Sequence, residues 1–455
     1  MSLLPSRGHL RTRRWPSFLA FAAGAALLGT GCAVLPYVKV ENALVSGDVA
    51  SARAALAQGE KEYGKSARLL YLFDQTSLAH YAGDWNASNQ SLEQADALID
   101  QLYTKSLSAE AKSFLINDMS LPYTGENFER VMLHVLGMLN YAALGDKDNA
   151  LVEARRADER LKQYSEAVGA DKVGYREDAL ARYVSAVLYE GGSKQDLWDA
   201  YLDYKKADEA FDLYAKLYAT PKPARLKADL QRFADGLGEK EDLEKWQKRD
   251  GVQAYVPLAQ TRRDQAEVVA LLYDGLAPVK TSKSLHLPVN LEDGTAQYFS
   301  LALPDFVVRG LPVPDAMLLA PGQGSAPFQL FQDINSIAVR DLQDRSALIL
   351  VKATARALVK FQAARAVQRK AREAGGAAEV LAFLGTNIYN LVSEQADIRS
   401  WRTLPGRIWI ARLALPPGVQ DVQIHLRRAG QDETLDLGTV KLRAGEKRFL
   451  LKALY

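Results

Sequence analysis

Tyr141-Ala-Ala-Leu-Gly145-Asp146-Lys-Asp-Asn-Ala150-Leu-Val-Glu-Ala154-Arg-Arg-Ala157 decides how the first half of the chain is read. A Gly-Asp pair separates two stretches of helical spacing, and small residues follow it at 150, 154 and 157. Small positions at that spacing let two helices approach closely, while a bulky neighbour fills the gap to the next unit. The arrangement recurs in degenerate form. Gly47-Asp48 is followed by Ala52, Leu56 and Gly59, and Gly83-Asp84-Trp85 by Ser88, Leu92 and Ala95. Ala200, Tyr204 and Ala207 follow a longer loop at Gly191-Gly192.

Gly47 and Gly83 lie 36 positions apart, near the 34-residue tetratricopeptide period. Gly83 and Gly145 lie 62 apart, which calls for an insertion around Pro122 and Gly125. Residues 41–250 therefore resemble a tetratricopeptide-like solenoid of irregular repeats, with a generic helical bundle as the alternative. Such a solenoid leaves a concave groove for a protein segment. Tyr141, Tyr201 and Tyr204 are candidates for that groove or its core.

From 253 the pattern changes. Glu267–Asp274 reads as a buried strand, and Ser284–Val289 and Tyr298–Leu303 alternate. Proline and glycine cluster between 304 and 326, which predicts loop. Helical spacing returns from Ala347 to Ala374, and a more apolar helix runs from Ala377 to Ala396. Strand patterns close the chain at 407–413, 419–426, 435–442 and 448–454. The expected class is α+β multidomain: an all-α solenoid, then an antiparallel, sandwich-like β domain over 253–455 with a helical insertion at about 347–396.

The N-terminus carries Arg7, Arg11, Arg13 and Arg14, an apolar run from Phe18 to Leu28, then Gly29-Thr-Gly-Cys32. This is the layout of a secretory signal, with an apolar run shorter than the roughly 20 residues of a spanning helix. Cys32 is the single cysteine. With it, residues 1–31 resemble a bacterial lipoprotein signal peptide, although Gly29 stands where that family has Leu. The resemblance implies acylation of Cys32, a tether over 32–40 and, from Ala33, sorting to the outer membrane, facing the periplasm. Lys+Arg 57 against Asp+Glu 55 implies no polyanionic partner globally, and an exported chain excludes nucleic acid. One cysteine excludes an intramolecular disulfide.

Two motifs, Ser393-Glu-Gln-Ala-Asp397-Ile-Arg399-Ser-Trp401-Arg-Thr-Leu404-Pro405 and Gly275-Leu-Ala-Pro278-Val-Lys280, are similar to landmarks of a bacterial lipoprotein family. That family joins a tetratricopeptide-like N-terminal half to a β-rich C-terminal half. The resemblance implies an envelope-assembly context and no particular reaction. Asp397, Arg399 and Trp401 alternate, so an Asp-Arg pair can hold the insertion against the sheet while Trp401 fills the core; partner contact is the alternative. Lys352, Arg356, Lys360, Arg365 and Arg369 share helical spacing and form a candidate polyanion-facing stripe, or a solvated face.

No catalytic motif emerges. His80, His134, His286 and His425 are scattered, with no HExxH, CxxC or GxSxG, and Pro321-Gly-Gln-Gly324 lacks the lysine of a phosphate loop. No cofactor or metal is expected. The expected function is a lipid-anchored periplasmic scaffold or adaptor that binds other envelope proteins through the helical groove. The alternatives are a periplasmic hydrolase or carbohydrate-binding protein using the β domain, and an accessory subunit of a secretion or polysaccharide-export assembly.

Overall fold

Asp48, Asp84 and Asp146 each begin a helix because the preceding glycine lets the chain reverse. Gly47, Gly83 and Gly145 have φ of 79°, 72° and 77°, a region side-chain-bearing residues resist. Each aspartate then accepts a backbone N–H three residues on: Ser51 at 2.9 Å, Ala87 at 3.3 Å and Asn149 at 3.1 Å. The computed structural model describes residues 37–455 except 114–118, 120, 169–174, 291–295, 311–314, 394–395 and 429. The signal segment and Cys32 lie outside the described residues.

The helices are α1 (Tyr37–Val45), α2 (Val49–Gln58), α3 (Glu60–Tyr63), α4 (Arg68–Tyr81), α5 (Trp85–Ser113), α6 (Asn127–Leu144), α7 (Lys147–Val168), α8 (Ala179–Tyr189), α9 (Lys194–Tyr218), α10 (Ala224–Leu237), α11 (Lys240–Asp250) and α12 (Leu258–Arg263). Short turns fold α4 on α5, α6 on α7, α8 on α9 and α10 on α11, and each pair touches the next. Residues 37–40, expected in the tether, belong to α1, where Tyr37 and Val40 are buried. Tyr201 and Tyr204 are core residues and Tyr141 is half-buried.

The strands are β1 (Ala266–Leu276), β2 (Val279–Asn290), β3 (Ala296–Val307), β4 (Asp315–Ala320), β5 (Gly324–Pro327) and β6 (Gln329–Asp333). Two helices follow, α13 (Ile334–Ala374) and α14 (Ala377–Ser393), then β7 (Pro405–Leu415), β8 (Gly418–Arg428), β9 (Gln431–Leu442) and β10 (Lys447–Leu454). One sheet has the order β10-β1-β7-β6, another β5-β4-β8-β9, and β2 pairs with β3 alone.

Every residue of β1 is buried because both of its faces are covered. Val269, Leu271 and Tyr273 join the core of the helical half. Val268, Ala270 and Leu272 instead meet Leu318, Val422 and Ile424 of the second sheet. The α and β halves therefore share one apolar layer instead of meeting across a linker.

Three expectations need correction. The sheets are antiparallel except for β1 and β10, which run parallel with Glu267 opposite Lys447. The stretch 304–326 is more than loop: in β4, Ala316, Leu318 and Ala320 alternate inward between the prolines, and β5 pairs with it. The helical insertion begins at Ile334 rather than 347, because Asp333 caps the Ser336 N–H at 3.1 Å. That insertion and the β2–β3 hairpin pack together as an arm, with Leu301 against Ala353 and Ala357 and the Phe299 ring 6.5 Å from Phe361.

Candidate functional site

The two motifs that carry the family resemblance meet in space. The Ala277 N–H donates to the Leu404 carbonyl at 2.7 Å, and Arg309 Nε caps the Ala277 carbonyl at 2.7 Å. Trp401 is fully buried and stacks on Phe73 of α4, with centroids 4.4 Å apart and planes at 17°. Its Nε1 donates to Thr403 Oγ1 at 3.1 Å and Ser77 Oγ at 3.2 Å, and its backbone N–H donates to Glu129 at 2.6 Å. Arg399 forms a two-pronged pair with Asp397 at 2.8 and 2.6 Å. The same guanidinium donates to the carbonyls of Ser66 and Leu121 at 2.9 and 3.0 Å. Asp397, Arg399 and Trp401 thus lock the helical half to the chain entering β7, and the Arg399 N–H turns back onto Asp397 Oδ1 at 3.0 Å, so the three do not lie on a strand.

Two carboxyls in this junction have displaced acidity. Burial pushes the Asp74 carboxyl up to about 7, against the bonds it accepts from Thr403 and Tyr63 at 2.7 and 2.8 Å. Burial, together with the neighbouring Glu126 charge, pushes Glu129 up to about 7. Glu126 itself is held low: burial alone would raise it, but Arg345 and Lys280 hold it ionised. All three carboxyls are buried.

Sequence reasoning missed a second buried charge cluster. Arg412 of β7, with no exposed side-chain surface, reaches Glu190 at 2.9 Å, Asp229 at 3.2 Å, Tyr204 at 2.8 Å and Glu267. Arg232 and Lys447 bind Glu190, each at 2.6 Å, while Arg225 bridges Asp229 and Glu267 at 3.1 and 2.8 Å. Its members span positions 190 to 447, so no local spacing signals it.

The basic stripe divides. Arg356 and Lys360 are buried on the side of α13 that faces the arm, beside Ala353, Ala357 and Ala364. Lys352, Arg365 and Arg369 are exposed. The five therefore do not form one face, because the helix turns its alanine line and the two intervening cations inward.

A cleft of about 220 Å³ opens between α7, α8 and α9. Leu151, Tyr189 and Leu202 line it together with Arg155, Arg182, Lys206, Asp158, Asp199 and Asp203. Arg182 is held by Asp158 at 2.6 Å and Glu177 at 3.1 Å, and Ser185 donates to Asp203 at 2.6 Å. Burial raises the Asp158 and Asp203 carboxyls. Ligand pockets for small molecules usually hold about 300–1,000 Å³, so this volume suits one or two side chains of a protein segment. Among the described residues, no group of three or more His, Cys, Asp or Glu is placed to hold a metal ion, and no helix is long and apolar enough to cross a membrane. No family model, curated protein or solved structure matches the chain.

Proposed function

We propose that the protein is a lipid-anchored scaffold of the bacterial envelope, attached to the outer membrane through Cys32, that captures a partner protein in the α7–α9 cleft. The stacked helix pairs are then a tetratricopeptide-like solenoid of irregular repeats, and the cleft is its recognition groove. The observation that carries this reading is the cleft itself: Leu151, Tyr189 and Leu202 line it together with side chains of both charge signs, which fits an extended segment bearing one apolar anchor between charged neighbours. The β half, fused to the solenoid through a shared core, fixes the groove relative to the anchor and serves as a second docking surface. Under this reading the enclosed carboxyls of the junction serve structure, and no chemistry is assigned to them.

The test is crosslinking in the intact envelope followed by purification, comparing the native chain with Leu202→Asp combined with Arg182→Glu. A stoichiometric partner lost in the double variant, with the helical circular dichroism unchanged, supports the groove. A partner kept at full yield removes the groove from the reading. Metabolic labelling with palmitate, lost in Cys32→Ser, tests the anchor separately.

A further inference from the structure

α13 is 41 residues long, about 60 Å at 1.5 Å per residue, and only one side of it meets the rest of the arm. The opposite side presents Leu348, Val351, Leu358, Val359 and Val367, which are 56, 65, 49, 39 and 51% exposed. Large apolar side chains in such number on one helix leave an unfavourable surface in water, at ~25 cal/mol per Å². Lys352, Arg365, Arg369 and Lys370 are exposed around the same apolar side. Residues 346–372 include seven Lys or Arg and no Asp or Glu. After the Gly375-Gly376 turn, α14 continues the pattern with Val380, Leu381 and Leu384 exposed.

We propose that the α13–α14 arm lies flat on a bilayer surface that carries anionic headgroups. Apolar residues and cations on one exposed helix side are the arrangement of an interfacial helix, whose carbon side chains enter the acyl boundary while ammonium and guanidinium groups reach the phosphates. Spanning is excluded for this arm, since charges recur through it and no described helix is apolar enough to cross. Arg365, Arg369 and Lys370 are exposed beside the exposed Val367, so a leaflet with anionic headgroups meets cations and apolar groups on one stretch of helix.

The attachment of α1 points the same way. Glu41 is held by Arg309 at 3.0 Å and by Arg402 at 2.7 Å. Arg309 follows β3 and Arg402 follows α14, so α1 sits where the arm leaves the body. In the anchored reading, four residues separate Cys32 from Tyr37, a reach of about 18 Å including the terminal bonds. The acyl group would then hold the base of the arm at the bilayer. The arm's own contact does not rest on that reading, and its test is made without the anchor.

The experiment uses the full chain with Cys32→Ser, and a polarity-sensitive fluorophore on Val351→Cys. A second protein carries the label on Val419→Cys, a 68% exposed position in β8. Each is mixed with vesicles of phosphatidylcholine plus phosphatidylglycerol, and with phosphatidylcholine alone. The expected result is a blue shift at 351 and none at 419, on the anionic vesicles, weakened about tenfold or more by Arg365→Glu with Arg369→Glu. Binding through the N-terminal apolar run alone would leave position 351 unshifted, and that outcome overturns the proposal. A shift of equal strength on neutral vesicles, or one that survives the charge reversal, overturns it too. So does a shift that grows with protein concentration in the absence of vesicles, which would assign the surface to a second copy of the chain.

Discussion

Arg412 in β7 and Glu190 at the end of α8 are 222 positions apart, yet two hydrogen bonds of 2.9 and 3.0 Å join them with both side chains out of solvent. Glu190 is held well below the usual carboxylate range: burial alone would raise it, but Arg232, Arg412 and Lys447 outweigh burial. Three carboxylates, Glu190, Asp229 and Glu267, share four cations, so each charge is answered several times over. The cluster ties α8 and α10 to β1, β7 and β10.

Removing the centre of this cluster should be costly. Arg412→Ala leaves Glu267 without its strongest partner and Glu190 without one of its three cations in a closed interior, and should destabilise the fold by ~3–5 kcal/mol in denaturant unfolding. Arg412→Lys keeps the charge but loses the fork, so it should recover only part of that loss. Stability equal to the native chain in both variants would show that the cluster is dispensable.

Trp401 separates packing from hydrogen bonding. Trp401→Ala removes the stack on Phe73 and opens a cavity, for an expected loss of ~3–5 kcal/mol. Trp401→Phe retains an aromatic ring but leaves Ser77 and Thr403 without the Nε1 donor, for ~1–3 kcal/mol. The order of thermal midpoints, native above Phe above Ala, is the check.

The junction carboxyls predict a particular pH response. Asp74 and Glu129 are raised to about 7 in the fold, while in the unfolded chain they titrate near 4. The folded state therefore binds more protons between those limits, and stability from these two groups is full below pH 4 and lost as pH rises through 7. Glu190 and Glu267, held low by their cations, act in the opposite sense and lose their contribution as pH falls below the ordinary glutamate range. Unfolding free energy measured in Glu129→Gln should decline less steeply from pH 4 to 7 than in the native chain. An unchanged slope would refute the assignment.

Gly137 tests how tightly the helix pairs meet. A methyl group there would sit 2.6 Å from Leu92 of α5 and 3.1 Å from Glu153 of α7. Alanine normally favours a helix interior over glycine by about 1 kcal/mol, yet here overpacking should win and cost ~1–3 kcal/mol net. Gly137→Ala should lower the melting temperature; a raised one would mean that α5 and α7 yield easily.

Much of this was readable from local chemistry. Each Gly-Asp turn carries its own cause, a reversible backbone followed by a capping carboxylate, so the helix pairs are visible without tertiary information. β1 and β7 declare themselves by apolar runs of strand length. β4 does not, because its flanking prolines and glycines outweigh three alternating inward residues. Nor does the spacing of Lys352, Arg356 and Lys360 reveal that the last two turn inward: helical period gives a face, and only the neighbouring β3 and α14 decide which face is covered. At Asp397, Arg399 and Trp401 the residue types pointed to a packed junction, but their partners Ser66, Phe73 and Glu129 lie some 270 to 330 positions upstream.

β10 pairs in parallel with β1, and its Lys447 reaches both Glu190 and Glu267. In order of synthesis, β10 emerges after every element it contacts. Until it does, β1 has a bare edge and two acidic side chains in the interior lack one of their counter-ions. β10 is thus a clasp: one strand, made after the elements it touches, closes the edge of β1 and supplies the missing counter-ion in the same step.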